Sequence, residues 1–139
     1  MTDKLTKPRL QDLVRDTPFF HQNAPPTVTS TVTLTGAQML GGILEANPSS
    51  STASYTTLTG ALLDEAIGRA NLAVNDAFDL IIINTSTSAG GNIILLMGTG
   101  ITLVGNNDIE EEDNVANSSS ARFRFRRTAA DTWTCYRIA

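Results

Sequence analysis

Residues 78–105 read FDLIIINTSTSAGGNIILLMGTGITLVG, and apolar residues are densest in this part of the chain. Its apolar residues form three runs of strand length, at 80–83, 93–97 and 101–104, rich in Ile, Leu and Val. Turn-forming residues separate the runs, at 84–92 and at 98–100, and we interpret both as hairpin turns. Because the runs show little polar alternation, the predicted sheet has to be covered on both faces.

The rest of the composition supports a β protein of one domain. A chain of 139 residues is long enough to bury a core without disulfides or a metal ion. Charged residues make up 17% and aromatic residues 6%, while Thr, Ser, Ala and Gly are abundant, which argues against a helical bundle. We therefore predict an antiparallel β-sandwich or barrel-like domain with two short helices and an extended N-terminal arm.

The predicted arm covers residues 1–26 and precedes a β-rich oligomerising domain at 27–139. Its sequence has mixed charge and several prolines, and Pro25-Pro26 marks the boundary. It also carries large apolar residues that are costly to expose, so we predict that they contact a neighbouring protein or another subunit, with a frayed tail as the alternative. These residues are Leu10, Leu13, Val14, Phe19 and Phe20.

A short motif occurs twice. The sequence TLTGA spans residues 33–37 and again 57–61, each time after a threonine-rich segment. We predict two copies of a strand, a threonine N-cap and a short helix, the first beginning after Thr35 and ending at a glycine pair. The second helix should run from Gly60 to about Arg69, with Asp64 and Glu65 near its positive end. Its predicted inward residues are Leu62, Leu63, Ala66 and Ile67.

Charge is distributed unevenly along the chain, whose net charge is −4. Residues 122–126 read RFRFR, and strand alternation predicts Arg122, Arg124 and Arg126 on one face with the two phenylalanines on the other. Such a row of like charges needs counter-charges, and the acidic segment 106–117 is the dense source of carboxylates. We predict an interface formed by these arginines with Glu110, Glu111 and Glu112, within one subunit or between subunits.

No arrangement of residues in the sequence points to catalysis, a cofactor or a metal. His21 and Cys135 are the single histidine and cysteine, and we expect Cys135 to be a packed thiol. The acidic segment lacks the spacing of a calcium loop, and no nucleophile elbow occurs. The acidic body argues against a nucleic-acid partner, and no apolar run is long enough to span a membrane. We predict a protein that is not an enzyme.

Taken together, several segments resemble small virion structural proteins of tailed phages, most closely capsid decoration (cement) proteins. The resemblance lies in the arm, in residues 32–43, 55–59, 78–84 and 98–105, and in the closing RFRFRR and YRI segments. It implies an oligomeric β fold, commonly a homotrimer, that binds the major capsid protein on the outer surface of the virion after synthesis in the host cytoplasm. The alternative is a tail-fibre or receptor- or carbohydrate-binding β module, which the scarcity of exposable aromatics disfavours.

Overall fold

The computed structural model describes residues 21–111 and 119–139, and ten strands and two helices lie in these ranges. The predicted contact residues Leu10, Leu13, Val14, Phe19, Phe20 and Glu112 lie outside the described residues. The helices are α1 (Gly36–Leu40) and α2 (Gly60–Ile67), the latter followed by a 3₁₀ turn at Arg69–Asn71. The strands are β1 (Thr27–Val28), β2 (Val32–Thr33), β3 (Ile43–Ala46), β4 (Ala53–Thr56), β5 (Ala77–Asn84), β6 (Ile93–Leu96), β7 (Ile101–Val104), β8 (Asp108–Ile109), β9 (Ser120–Ala129) and β10 (Thr132–Arg137).

The strands form two sheets that pack on each other. One sheet has the order β1-β3-β5-β9-β10-β7, and the other has the order β2-β4-β6-β8. The chain crosses from one sheet to the other after each of its first strands, so β1, β3 and β5 are parallel neighbours, as are β2, β4 and β6. The prediction of a mainly β, sandwich-like fold with two short helices is confirmed. The sheets, however, are mixed and not antiparallel.

The predicted hairpins of the central stretch are wrong. Residues 84–92 connect β5 in the larger sheet to β6 in the smaller sheet, and residues 98–100 lead back to β7. Parallel pairing requires such crossings, and an apolar run looks the same in sequence whether a hairpin or a crossing follows it. At the second crossing a Cβ atom on Gly98 would lie 2.6 Å from the carbonyl oxygen of Leu58, so the close approach requires glycine.

Both threonine N-caps of the repeated motif form as predicted, and the second helix ends at Ile67, two residues before the predicted end. The Thr35 hydroxyl accepts a hydrogen bond from Gln38 N at 3.2 Å, and the Gln38 side chain accepts one from Thr35 N at 2.8 Å. The Thr59 hydroxyl caps α2 by accepting from Leu62 N at 3.1 Å. The preceding segment 27–35 divides into β1 and β2, which belong to different sheets.

The core lies between the sheets and contains the inward side of every long strand. Phe123, Phe125 and Trp133 are buried there, and Phe78 stacks on Phe125 with ring centroids 5.0 Å apart. Cys135 is also buried, which confirms the prediction of a packed thiol, and burial raises its pKa to about 12. No helix within the described ranges has the length and apolar character needed to cross a membrane.

The last residues of the predicted arm lie against the body. The Pro26 carbonyl accepts a hydrogen bond from Glu45 N at 3.0 Å, which extends the pairing of β1 with β3. Further back, the Gln22 side-chain amide donates to the Gly41 carbonyl at 2.8 Å. Residues 22–26 therefore have fixed contacts with α1 and β3, while the division of the chain at residue 26 stays a prediction.

Candidate docking surface

Three arginines line the outer face of the larger sheet. Arg122, Arg124 and Arg126 alternate with buried side chains on β9, an interior strand, so strand geometry sets neighbouring arginine Cα atoms about 7 Å apart. The predicted separation of arginines from phenylalanines is confirmed, because Phe123 and Phe125 are fully buried. We call these arginines, with the side chains of Asp79, Asn75 and Tyr136 that contact them, the arginine face.

Asp79 on β5 holds two of the arginines. The β5–β9 register places Asp79 directly opposite Arg124. Its two carboxylate oxygens accept from Arg124 Nε at 2.7 Å and Nη2 at 2.9 Å, in a bidentate pair. One of these oxygens also accepts from Arg122 Nη2 at 2.7 Å and Nε at 3.0 Å. A single carboxylate thus fixes the position of two guanidinium groups.

The charge state of Asp79 is set by the same contacts. The hydrogen bond from Arg124, together with that from Arg122, outweighs the effect of partial burial and lowers the pKa of Asp79 to about 2. Asp79 is therefore ionised at neutral pH. The Arg122 and Arg124 side chains are 47% and 48% exposed, so both guanidinium groups are ordered by Asp79 and still reach solvent.

Arg126 is held by neutral groups. Its Nη2 and Nε donate to the Tyr136 hydroxyl at 2.8 and 3.2 Å, and Nη1 donates to the Asn75 side-chain oxygen at 2.8 Å. The guanidinium carbon also lies 5.7 Å from the centroid of the Tyr136 ring. With Asp79 as its one carboxylate, the arginine face carries a net charge of +2.

Among the described residues, Asp79 is the carboxylate that pairs with Arg122 and Arg124. Glu112 lies outside these residues, and the predicted interface of the arginines with Glu110, Glu111 and Glu112, within one subunit or between subunits, stays a prediction. Asp108 and Ile109 form β8 at the edge of the smaller sheet, and Glu110 and Glu111 follow it, half-buried. The main-chain N of Glu111 donates to the Asn92 side chain at 3.3 Å. Sequence proximity favoured this segment, whereas strand register brings in Asp79 from 43 positions away.

Apolar side chains border the arginine face. Ile81 lies opposite Arg122 across the β5–β9 pair, and Val104 lies opposite Tyr136 across the β10–β7 pair. Val104 is 50% exposed, and Ile138, just beyond β10, is 47% exposed. Arginine and tyrosine side chains with neighbouring exposed aliphatic residues are typical of protein–protein interfaces.

A second ionic cluster lies inside the protein, and sequence reasoning missed it. The Asp64 side chain is fully buried and accepts from Arg127 Nη2 at 2.8 Å, from Trp133 Nε1 at 2.7 Å and from Asp131 N at 2.9 Å. Burial alone would raise its pKa, but these hydrogen bonds lower it to about 2. The cluster joins α2 to β9 and β10 and is structural.

The buried cluster also corrects the predicted orientation of α2. Leu62 and Ala66, both predicted to point inward, are exposed, while Asp64, which was not among the predicted inward residues, is fully buried. Leu63 is buried as predicted. The sequence contained one signal of this cluster. Arg127 occupies an inward-facing position in the alternation of β9, and a buried arginine requires a buried anion as its partner.

The residues with catalytic or metal-binding chemistry are dispersed. His21 is exposed, and its Nε2 lies 2.7 Å from the side-chain oxygen of Asn23. Cys135 lies on β10, the last strand, and is buried in the core. Within residues 21–111 and 119–139, no three His, Cys, Asp or Glu side chains gather in a group that could hold a metal ion.

Comparisons with known proteins do not assign this chain to a family. No family model, curated protein or solved structure matches it. The geometry of the arginine face and the resemblance of several segments to phage decoration proteins are the basis for a proposed function.

Proposed function

We propose that this protein is a non-enzymatic structural protein that binds an acidic protein surface through the arginine face. The observation that carries the proposal is the contact of Asp79 with both Arg122 and Arg124. It fixes two exposed guanidinium groups in position before any partner arrives. Preorganised charged side chains lose less conformational entropy on binding than free ones, which favours affinity.

The arginines retain the capacity to bind further carboxylates. Arg122 and Arg124 use their Nε and Nη2 groups for Asp79, and a guanidinium group has more N–H donors than these contacts occupy. A partner carboxylate can approach the net positive face and pair with the remaining donors. The bordering Val104 and Ile138 add apolar area to the same surface.

The resemblance to decoration proteins suggests what the partner is. On that basis the acidic surface belongs to the major capsid protein of a tailed phage, and this protein decorates the outside of the capsid as a homotrimer and stabilises it. The N-terminal arm adds an anchor to the shell through its large apolar residues Leu10, Leu13, Val14, Phe19 and Phe20. Glu110, Glu111 and Glu112 remain candidates for contacts with the arginines of the arginine face, within one subunit or between subunits.

The test measures binding of the purified protein to shells of the phage that encodes it, prepared without it. Replacing Arg122 and Arg124 with glutamine removes two positive charges from the arginine face. We expect affinity to fall by at least about tenfold, with a weaker dependence on salt concentration, because the lost contacts are charged.

A matched control changes the net charge equally on the other sheet. Thr33→Glu with Leu96→Glu makes the chain more negative by two charges at exposed positions of β2 and β6. This variant should bind shells nearly as well as the unmodified protein. Equal losses from the two variants would mean that only net charge matters, and unchanged binding by the Arg122 and Arg124 variant would refute docking through the arginine face.

A further inference from the structure

The strand β7 forms one edge of the larger sheet, and its four residues read ITLV. It contains neither a charged residue nor a proline, and Val104 is 50% exposed. Proteins protect sheet edges with charges, prolines or very short strands, because an open edge pairs readily with another chain. The length and composition of β7 give it none of these protections.

The other three sheet edges in the described ranges are protected. β1 and β2 contain two residues each, and β1 directly follows Pro25-Pro26. β8 also contains two residues, one of them Asp108, and is followed by Glu110 and Glu111. Among the described edges, β7 is therefore the one suited to pairing with a further strand.

The backbone of β7 presents free hydrogen-bonding groups at Leu103. The Gly100 carbonyl accepts a hydrogen bond from Trp133 N at 2.9 Å, which fixes the phase of the β10–β7 pairing. Backbone groups of successive residues point to opposite sides of a strand, so those of Thr102 and Val104 face β10 and those of Leu103 face the open edge. Within residues 21–111 and 119–139, the Leu103 N–H and C=O have no hydrogen-bond partner.

We propose that β7 pairs with an extended segment of the same acidic partner that binds the arginine face, so that the segment adds a strand to the larger sheet. The Leu103 N–H and C=O then form main-chain hydrogen bonds with it, as in other cases of strand addition. The segment is free of proline where it pairs, because proline cannot donate. It carries an aliphatic residue beside Val104.

Two observations favour this occupant over a second copy of the chain. A strand of four residues buries far less than the roughly 800 Å² per partner of a stable interface, so β7 alone would not hold two copies together. Val104 also lies opposite Tyr136, whose hydroxyl accepts a hydrogen bond from Arg126, so the edge and the arginine face form one continuous surface. The inference rests on the proposed function, because it extends the surface that binds the same partner.

Amide hydrogen exchange of the full chain tests this pairing residue by residue. The protein is exchanged in deuterated water, alone and bound to shells prepared without it, and each amide is read by fragmentation mass spectrometry after quenching. In the free protein, Leu103 should exchange much faster than Thr102 and Val104, whose N–H groups face β10. On the shells, exchange at Leu103 should slow by at least about tenfold.

The outcomes separate this inference from the proposed function. Equally fast exchange at Leu103 in the free and bound protein would refute strand addition and leave docking through the arginine face intact. Protection of Leu103 in the free protein would also refute it, because the edge would already be covered by its own chain or by a second copy. An unmodified protein that does not bind shells would refute both proposals.

A backbone substitution tests the contribution of the edge to affinity. Replacing Leu103 with leucic acid, the α-hydroxy acid with the same side chain, removes the outward N–H and should weaken binding to shells by at least about threefold. The matched control replaces Val104 with its α-hydroxy acid, which removes an N–H that faces β10 and should lower the urea midpoint more than the change at Leu103. Shell affinity unchanged by the substitution at Leu103 would overturn the proposal.

Discussion

Replacing Asp64 with asparagine tests the buried ionic cluster, which determines how α2 is attached to β9 and β10. The change keeps the side-chain shape but removes the negative charge that accepts hydrogen bonds from Arg127, Trp133 and Asp131. The Arg127 side chain is only 11% exposed. In the variant, its positive charge therefore stays buried after the carboxylate it pairs with has been removed. Breaking a buried pair in this way costs about 3–5 kcal/mol, a large part of the roughly 5–15 kcal/mol that stabilises a domain.

The assay is urea unfolding at pH 7, followed by Trp133 fluorescence and by circular dichroism. Glu65→Gln is the matched control, since it is an equivalent acid-to-amide change at the next, exposed position of α2. We expect the Asp64 variant to lose about 3–5 kcal/mol in the free energy of unfolding and the control to lose less than about 0.5 kcal/mol. Replacing Asp64 with leucine and Arg127 with methionine together should recover much of the loss, because no buried charge then remains unpaired.

Acid provides an independent check with a defined sign. The pKa of Asp64 is about 2 in the folded protein and near its ordinary value of 3.8 when unfolded. Its contribution is therefore fully present above about pH 4 and is lost as the pH falls towards 2. The difference in the free energy of unfolding between the protein and its Asp64 variant should become smaller as the pH falls from about 4 to 2. A loss below about 1 kcal/mol at pH 7, or a difference that does not change with pH, would refute the reasoning.

Three further experiments test other parts of the structure. Asp79→Asn should lower the free energy of unfolding in urea by about 2 kcal/mol at pH 7, and the difference should shrink between pH 4 and 2, because the pKa of Asp79 is about 2; a pH-independent difference would contradict this. Cys135 should react slowly with a thiol reagent until urea unfolds the chain, since it is buried and its pKa is about 12; rapid labelling of the folded protein would show an exposed sulfur. Thr59→Ala removes the cap of α2 and should cost about 0.5–2 kcal/mol in urea unfolding; no measurable loss would mean that the cap is dispensable.

Local patterns in the sequence were sufficient to predict several elements of the fold. The runs in residues 78–105 became β5, β6 and β7, and the two TLTGA segments became threonine-capped helices. The alternation of residues 122–126 placed phenylalanines inside and arginines outside. Each of these features depends on side-chain period or on hydrogen bonds within a few residues, which the sequence displays directly.

Partners that are distant in sequence could not be predicted in the same way. Asp79 meets Arg122 and Arg124 because of the β5–β9 register, and that register is set by the packing of both sheets. The pairing of Asp64 with Arg127 likewise joins a helix to a strand 63 positions later. A lone charge in an apolar stretch, as at Asp79, and a charge on an inward strand position, as at Arg127, are the signals that such partners exist.

The proposal of a capsid-binding structural protein is tested most directly by the melting temperature of phage shells prepared without this protein. Shells are heated alone and after addition of the purified protein, whose mass in solution is measured by light scattering in the same preparation. We predict a trimer that adds to preformed shells and raises their melting temperature, whereas the variant with glutamine in place of Arg122 and Arg124 should raise it little. A protein that leaves the shells' melting temperature unchanged at saturating concentration would contradict it.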